Sequence, residues 1–195
     1  HRENGLTLFS EPGRLSAVMT DDLAAQASVI SLENFADMLD SSAGYHSGTK
    51  MMIEAASLPK VVFDILDNSA VELVQRPCPV MHAKAIKNGA EQEGTRRAHI
   101  EDGVSMVRFL AWLETLTPGQ IQETEIAAHL LAIRRESPNF IASSFETICG
   151  SGPNGAIVHY RATKDADSAL VGDNLLLVDS GAHYTSGTTD ITRTI

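Results

Sequence analysis

Through the first 79 residues, apolar positions come in short runs separated by turn-forming residues. Gly5–Phe9 is an apolar run closed by Glu11-Pro12-Gly13 and predicts a strand. Leu15, Val18, Leu23 and Ala27 follow at the looser spacing of a helix. Val29-Ile30 predicts a second short strand, and Ser31-Leu32-Glu33-Asn34 with Phe35, Met38 and Leu39 has the capping serine and apolar spacing of a short helix. Ser41–Gly48 reads as a loop. Lys50–Glu54 reads as a strand, Leu58–Leu66 as a helix starting near Pro59, and Val71–Val74 as a strand before Pro77-Cys78-Pro79. Strands that alternate with helices in this way mark an α/β unit.

The period lengthens from Asn88. Asn88 with Glu91 three residues on is a capping-box start, and Ala98, Val104, Val107, Leu110 or Ala111, and Leu113 recur at helical spacing until Thr117-Pro118-Gly119. A second helix is expected from Thr124 as N-cap, with Ile126, Leu130 and Ile133 on one face and Arg134-Arg135 at its end, so that acidic and basic residues complement the helix dipole. Both helices should pack on one face of the sheet that follows, with Met106 and Trp112 as packing residues. Phe145–Cys149 predicts a strand, Gly150–Gly155 a glycine-rich loop, and Ala156–Tyr160 a strand carrying His159.

Leu175–Ile195 is the stretch around which the rest is organised. Leu175 to Val178 is an apolar run ending at Asp179, and Thr188–Ile195 is β-branched at nearly every step apart from Asp190 and Arg193, so both halves predict strands. Aspartate is depleted in strand interiors, and two of them eleven residues apart call for a reason beyond folding. Carboxylates are hard oxygen ligands, and two facing each other from rigid strands suit a divalent metal pair; a strand-ending turn and a surface aspartate are the bland alternative. Direct opposition of Asp179 and Asp190 requires a loop centred between Tyr184 and Thr185. A tight Ser186-Gly187 turn would instead set them four residues out of step. The wider loop is the expectation.

Composition narrows the function. Fifteen basic against twenty-five acidic residues give a net charge of −10, which repels nucleic acid and anionic membrane surfaces. No apolar run approaches a membrane span and no signal-peptide pattern is present, so the expected location is cytoplasmic. Cys78 and Cys149 lack metal-ligand spacing and read as buried thiols, with a disulfide pair as the alternative. Residues before Pro79 carry no phosphate loop, metal spacing or nucleophile motif. The chain opens on His1 and stops at Ile195 inside a predicted strand, as a piece of a longer protein would.

Three ordered segments resemble one family: KAIKNGAEQEGTRRAHIEDGVSMVRFLAWLE from Lys84 to Glu114, SGPNGAIVHYRAT from Ser151 to Thr163, and VDSGAHYTSGTTDITRT from Val178 to Thr194. The last resembles the metal-binding segment of the pita-bread metallopeptidases and, among them, of the Xaa-Pro aminopeptidase (aminopeptidase P) family. The resemblance implies an α/β (α+β) chain. Residues 1–79 would be the end of a creatinase-like N-terminal domain that assists subunit contacts and covers the active-site mouth. Residues 80–195 would be an incomplete pita-bread catalytic domain, with helices packed on a mainly antiparallel sheet.

The implied activity is hydrolysis of the bond between an N-terminal residue and a following proline, by a hydroxide held between two divalent ions. Manganese is the metal favoured, with cobalt and zinc as alternatives. Asp179 would bind one ion and Asp190 both, while His159 would contact substrate as the catalytic-pocket histidine. The family's remaining ligands, one histidine and two glutamates, lie on later strands. Thr189 and Thr192 could orient the carboxylates, Arg161 is a weaker candidate, and His183 reads as a turn residue. Peptides with proline second are the implied partners, and the full protein would form a homodimer or higher homo-oligomer. The competing readings are a prolidase-type Xaa-Pro dipeptidase and a metal-free peptide- or protein-binding module.

Overall fold

The computed structural model describes residues 6–11, 13–15, 26–41 and 48–195, with the backbone alone at 40 and 41. It divides into two compact units, His1–Ile86 and Lys87–Ile195.

In the first unit β1 (Leu6–Ser10) pairs in parallel with β2 (Ala27–Ser31), and a 3-10 turn at Leu32–Asn34 leads into α1 (Phe35–Ser41). The helix expected over Leu15–Ala27 falls largely on 16–25, outside the described residues, and its last position opens β2. Most of the expected Ser41–Gly48 loop, at 42–47, also lies outside them. β3 (Lys50–Ile53), α2 (Lys60–Asp67) and β4 (Glu72–Gln75) form a strand–helix–strand unit whose two strands pair in parallel. Pro59 sits at the N-cap of α2, a position that needs no backbone donor. The short α3 (Pro79–Ala85) completes the unit.

The second unit opens with the long α4 (Gly89–Leu113), capped as expected: Asn88 Oδ1 accepts the Glu91 N–H at 2.9 Å, and the Glu91 carboxylate accepts the Asn88 N–H at 2.8 Å. α5 (Glu123–Arg135) starts two residues earlier than expected, with Gln122 rather than Thr124 as its N-cap. β5 (Phe140–Ser143), β6 (Ile148–Ser151), a 3-10 turn at Gly152–Ala156, β7 (Leu176–Ser180), β8 (Ala182–Tyr184), β9 (Gly187–Thr188) and β10 (Ile191–Thr194) follow. They make two antiparallel three-stranded sheets, ordered β10-β7-β6 and β5-β8-β9. Because β7 runs into β8 and β9 into β10, the sheets are joined by one long bent hairpin.

Met106 and Phe109 of α4, Ile126, Leu130 and Ile133 of α5, Cys149 of β6, and Leu176 and Val178 of β7 form the core between the helices and one sheet face. Each large side chain buried there contributes about 1.5–3 kcal/mol. A smaller cluster of Ala98, Ala182 and Tyr184 seals the helix against the hairpin. One expectation fails here. Val104 and Val107 are 58% and 67% exposed, because α4 turns Asp102, Ser105 and Phe109 inward along with the expected Ala98 and Met106. Arg134 stands in the last turn of α5 as expected, and it is also a buried ion-pair partner.

Candidate metal centre

Strand alternation decides which side chains β7 offers to each side. Leu176, Val178 and Ser180 are buried towards the helices, so Leu177 and Asp179 take the opposite, more open face. Across the ladder Asp179 pairs with Thr192, whose hydroxyl donates to Asp179 Oδ1 at 2.8 Å. Asp190 lies between the two paired stretches, before Ile191. Thr189 is buried and Ile191 packs on the core, so the residue between them turns away from the helices and is exposed.

The direct opposition of Asp179 and Asp190 is therefore corrected. Thr185-Ser186 makes a two-residue turn between Tyr184 and Gly187, midway between the two loops considered from sequence, and Asp190 sits two residues out of step with Asp179. An offset of two keeps both on one face. Diagonal neighbours of this kind have Cβ atoms roughly 7 Å apart, a span two aspartates close around a pair of ions. Among the described residues neither carboxylate pairs with a lysine or arginine. Two acceptor-only oxygen groups on one open face fit hard divalent cations. No group of three or more metal-ligating side chains occurs among the described residues.

The hairpin bends at Gly181, where a Cβ would overlap the Thr189 carbonyl oxygen and Ser144 Oγ. Behind the bend stands Asp102 of α4, wholly buried. Arg134 of α5 donates to it twice, Nε to Oδ1 at 2.7 Å and Nη2 to Oδ2 at 3.0 Å. Tyr184 donates its hydroxyl to Oδ1 at 3.0 Å and Thr189 to Oδ2 at 2.5 Å. Burial and the Asp102 charge push the Tyr184 phenol upward.

His159 is not on a strand. Ala156–Tyr160, expected as one, is the end of the 3-10 turn and the bend after it, and His159 is exposed with φ 56°. It is the one non-glycine residue with positive φ among those described, and such backbone conformations concentrate at functional sites. The turn packs towards the carboxylate face: a Cβ on Gly155 would meet Leu177 Cβ at 3.3 Å, and Leu177 shares its face with Asp179. No hydrogen bond or ion pair of the described residues joins His159 to either aspartate.

What shapes this turn is Glu123, the first residue of α5, fully buried. Its carboxylate accepts from Ser151 N–H at 2.6 Å, Asn154 Nδ2 at 3.0 Å, the Tyr160 hydroxyl at 2.7 Å and Ser168 N–H at 3.2 Å. Beside it Asp167 accepts the Thr124 N–H at 3.1 Å and the Thr124 hydroxyl, so this helix end is capped by a residue from a distant loop. Burial, then Glu123 and Asp167, push the Cys149 thiol up to about 12. Of the weaker candidates, Arg161 pairs with Glu146 at 2.9 Å on the surface and His183 Nδ1 meets Thr188 Oγ1 at 2.9 Å.

Sequence reasoning passed over Asp102, Glu123 and Asp167, and gave Arg134 a helix-end role alone. Asp102 had a signal: it stands four residues after Ala98 and four before Met106, on the face that packs inward. Glu123 and Asp167 had none, because their partners are brought together only by the fold.

The profile of metallopeptidase family M24 matches residues 93–195. The chain is 45% identical over 120 residues, 60% of its length, to a probable Xaa-Pro aminopeptidase P of Neurospora crassa, of which it covers 18%. It is 35% identical over 199 residues, 99% of its length, to Xaa-Pro aminopeptidase 2 of Sus scrofa, of which it covers 29%. It thus spans less than a third of these curated relatives. Its fold is similar to that of an X-prolyl aminopeptidase from Caenorhabditis elegans, described as a cytosolic enzyme with a di-nuclear active site (TM-score 0.81, 24% identity, 97% of this chain and 32% of that one). It is also similar to that of a prolidase from Pyrococcus furiosus (TM-score 0.71, 21% identity, 97% and 52%).

Proposed function

The chain belongs to metallopeptidase family M24, and on that premise we propose that the protein is an aminopeptidase that releases the N-terminal residue from peptides with proline second. The observation that carries the reading is the placement of Asp179 and Asp190 on one open sheet face, inside the segment that matches the family. The likeness to Xaa-Pro aminopeptidase 2 over 99% of the chain supports the proline preference.

In this proposal Asp179 and Asp190 hold two divalent ions, manganese first among them. Such ions, when bound, acidify an attacking water and polarise the scissile carbonyl. Thr192 keeps the Asp179 carboxylate turned to the open face. His159, held on its turn by the Glu123 contacts to Asn154 and Tyr160, hydrogen-bonds the substrate where negative charge develops. Residues 1–79 belong to a creatinase-like N-terminal domain and 80–195 to the catalytic domain of a cytoplasmic homo-oligomer. Among the described residues no helix is long and apolar enough to cross a membrane.

The test uses the intact protein after chelation and metal add-back, with Xaa-Pro and Xaa-Ala peptides of two, three and more residues. Cleavage of Xaa-Pro peptides of three or more residues, lost on chelation and restored by manganese, is the expected result. Asp179→Asn and Asp190→Asn should each lower kcat/KM by at least about 100-fold, since outer partners alone cost 10–100-fold. Activity indifferent to chelation, or equal on Xaa-Ala, would refute the reading; cleavage of dipeptides alone would make it a prolidase.

A further inference from the structure

Asp190 sits at the bend of the hairpin, outside both paired stretches, so the sheet ladders do not fix it. What holds the bend is its neighbour. The Thr189 hydroxyl donates to Asp102 Oδ2 at 2.5 Å while its oxygen accepts the Ala182 N–H at 3.0 Å, and the Thr189 N–H donates to the Ala182 carbonyl at 2.9 Å. One side chain thus ties together the arm that precedes Asp190 and the arm that follows Asp179. The anchor does not give, because both Asp102 oxygens are held by Arg134 in a wholly buried pair whose two helices pack together.

We propose that Asp102 is a positioning residue for Asp190: acting through the Thr189 hydroxyl, its buried carboxylate fixes the backbone step from which Asp190 is presented to metal. The inference rests on the reading of Asp190 as a ligand. Metal ligands must be held to within about half an ångström, and partners one bond removed commonly set affinity. A carboxylate buried only to join two helices would need Arg134 alone; the extra bond to Thr189 is what directs it to the site. Tyr184, which donates to the same carboxylate from beside the Thr185-Ser186 turn, supplies a contrast, because its bond leads away from Asp190.

The experiment measures manganese affinity by titration, together with Tm, in the intact protein and in Thr189→Val, Thr189→Ala, Thr189→Ser, Tyr184→Phe and Asp190→Asn. Removing the hydroxyl, in Val or Ala, should weaken one of two bound ions about tenfold or more, and Thr189→Ser should restore it. Tyr184→Phe should lower Tm with metal affinity unchanged. Should Thr189→Val fail to fold, the Ala and Ser pair gives the same comparison without added bulk. Wild-type affinity in Thr189→Ala, with affinity lost in Asp190→Asn, overturns the positioning role and leaves Asp190 a ligand. Wild-type affinity in Asp190→Asn removes the ligand reading and this inference with it. Equal loss of affinity in Tyr184→Phe and Thr189→Ala would show Asp102 to be merely structural.

Discussion

Glu123 and Asp102 are both fully buried carboxylates, and the chain satisfies them by different means. Asp102 is matched by a guanidinium. Glu123 has no cationic partner among the described residues; it occupies the first turn of α5, where unpaired N–H groups and the helix dipole favour an anion, and it collects donors from Ser151, Asn154, Tyr160 and Ser168. Cys149 bears the consequence. Its thiol is raised from 9.0 to about 12, so the folded state prefers it protonated. The sign follows: this preference stabilises the fold fully below pH 9 and is lost as pH rises from 9 through 12. Tm should therefore fall more steeply between pH 9 and 11 in the wild type than in Cys149→Ala. Iodoacetamide at pH 8 should label the half-buried Cys78 well before Cys149. Parallel Tm curves, or equal labelling of the two, would contradict the assignment. At this scale Asp179 and Asp190 stood out in the sequence by their misfit in β-prone runs, and the structure sets both on the more open sheet face, whereas Glu123 looked like any acidic residue opening a helix.

Helix α4 shows what periodicity reveals and what it misses. Its start was legible, because capping is a contact between residues three apart. Its inward face was legible only in part: Ala98, Met106, Leu110 and Leu113 do face the core, but apolar spacing also selected Val104 and Val107, while the fold buries Asp102 and Ser105 and is small enough at Gly94 to admit the hairpin turn. Ala156–Tyr160 failed as a strand for a similar reason. Ile157 and Val158 are β-branched, but Pro153 and Asn154-Gly155 start a turn that Glu123 closes from some thirty residues away. Two glycines of α4 make the packing argument testable. A Cβ at Gly94 would overlap the Ser186 carbonyl oxygen, whereas one at Gly103 meets nothing within 4 Å. Gly94→Ala should cost about 1–3 kcal/mol despite the better helix former, because the obstacle is backbone. Gly103→Ala should stabilise by roughly 0.5–1 kcal/mol. Denaturant midpoints that move the same way for both would mean the helix and hairpin are not in this close contact. Arg134→Met, which strands Asp102 without its counterion, should cost about 3–5 kcal/mol.

Among the described residues the two units differ in how much apolar surface they bury. The hydrophobic period lengthens near Asn88, whereas the domain boundary expected from sequence was 79/80, and nothing in the pattern ranked the stabilities of the two units. Among the described residues of the first unit, Ile53 and Leu66 are the buried apolar side chains, and its strands form two separate pairs. The cross-strand ion pair Lys50–Glu72, at 3.5 Å and exposed, adds less than about 1 kcal/mol. The second unit buries Met106, Phe109, Ile126, Leu130, Ile133, Cys149, Leu176 and Val178 in one cluster and adds the Asp102–Arg134 pair with its hydroxyl donors. Opening free energy follows buried contact, so the two should not unfold as one. Hydrogen exchange on residues 1–195 is expected to show the amides of β3, α2 and β4 exchanging through openings of lower free energy than those of α4, α5 and β7. Mild heating should release the first set while the second stays protected. Equal protection in both sets, or a single transition seen alike by probes in each, would show that the stability of the first unit comes from something other than its own core.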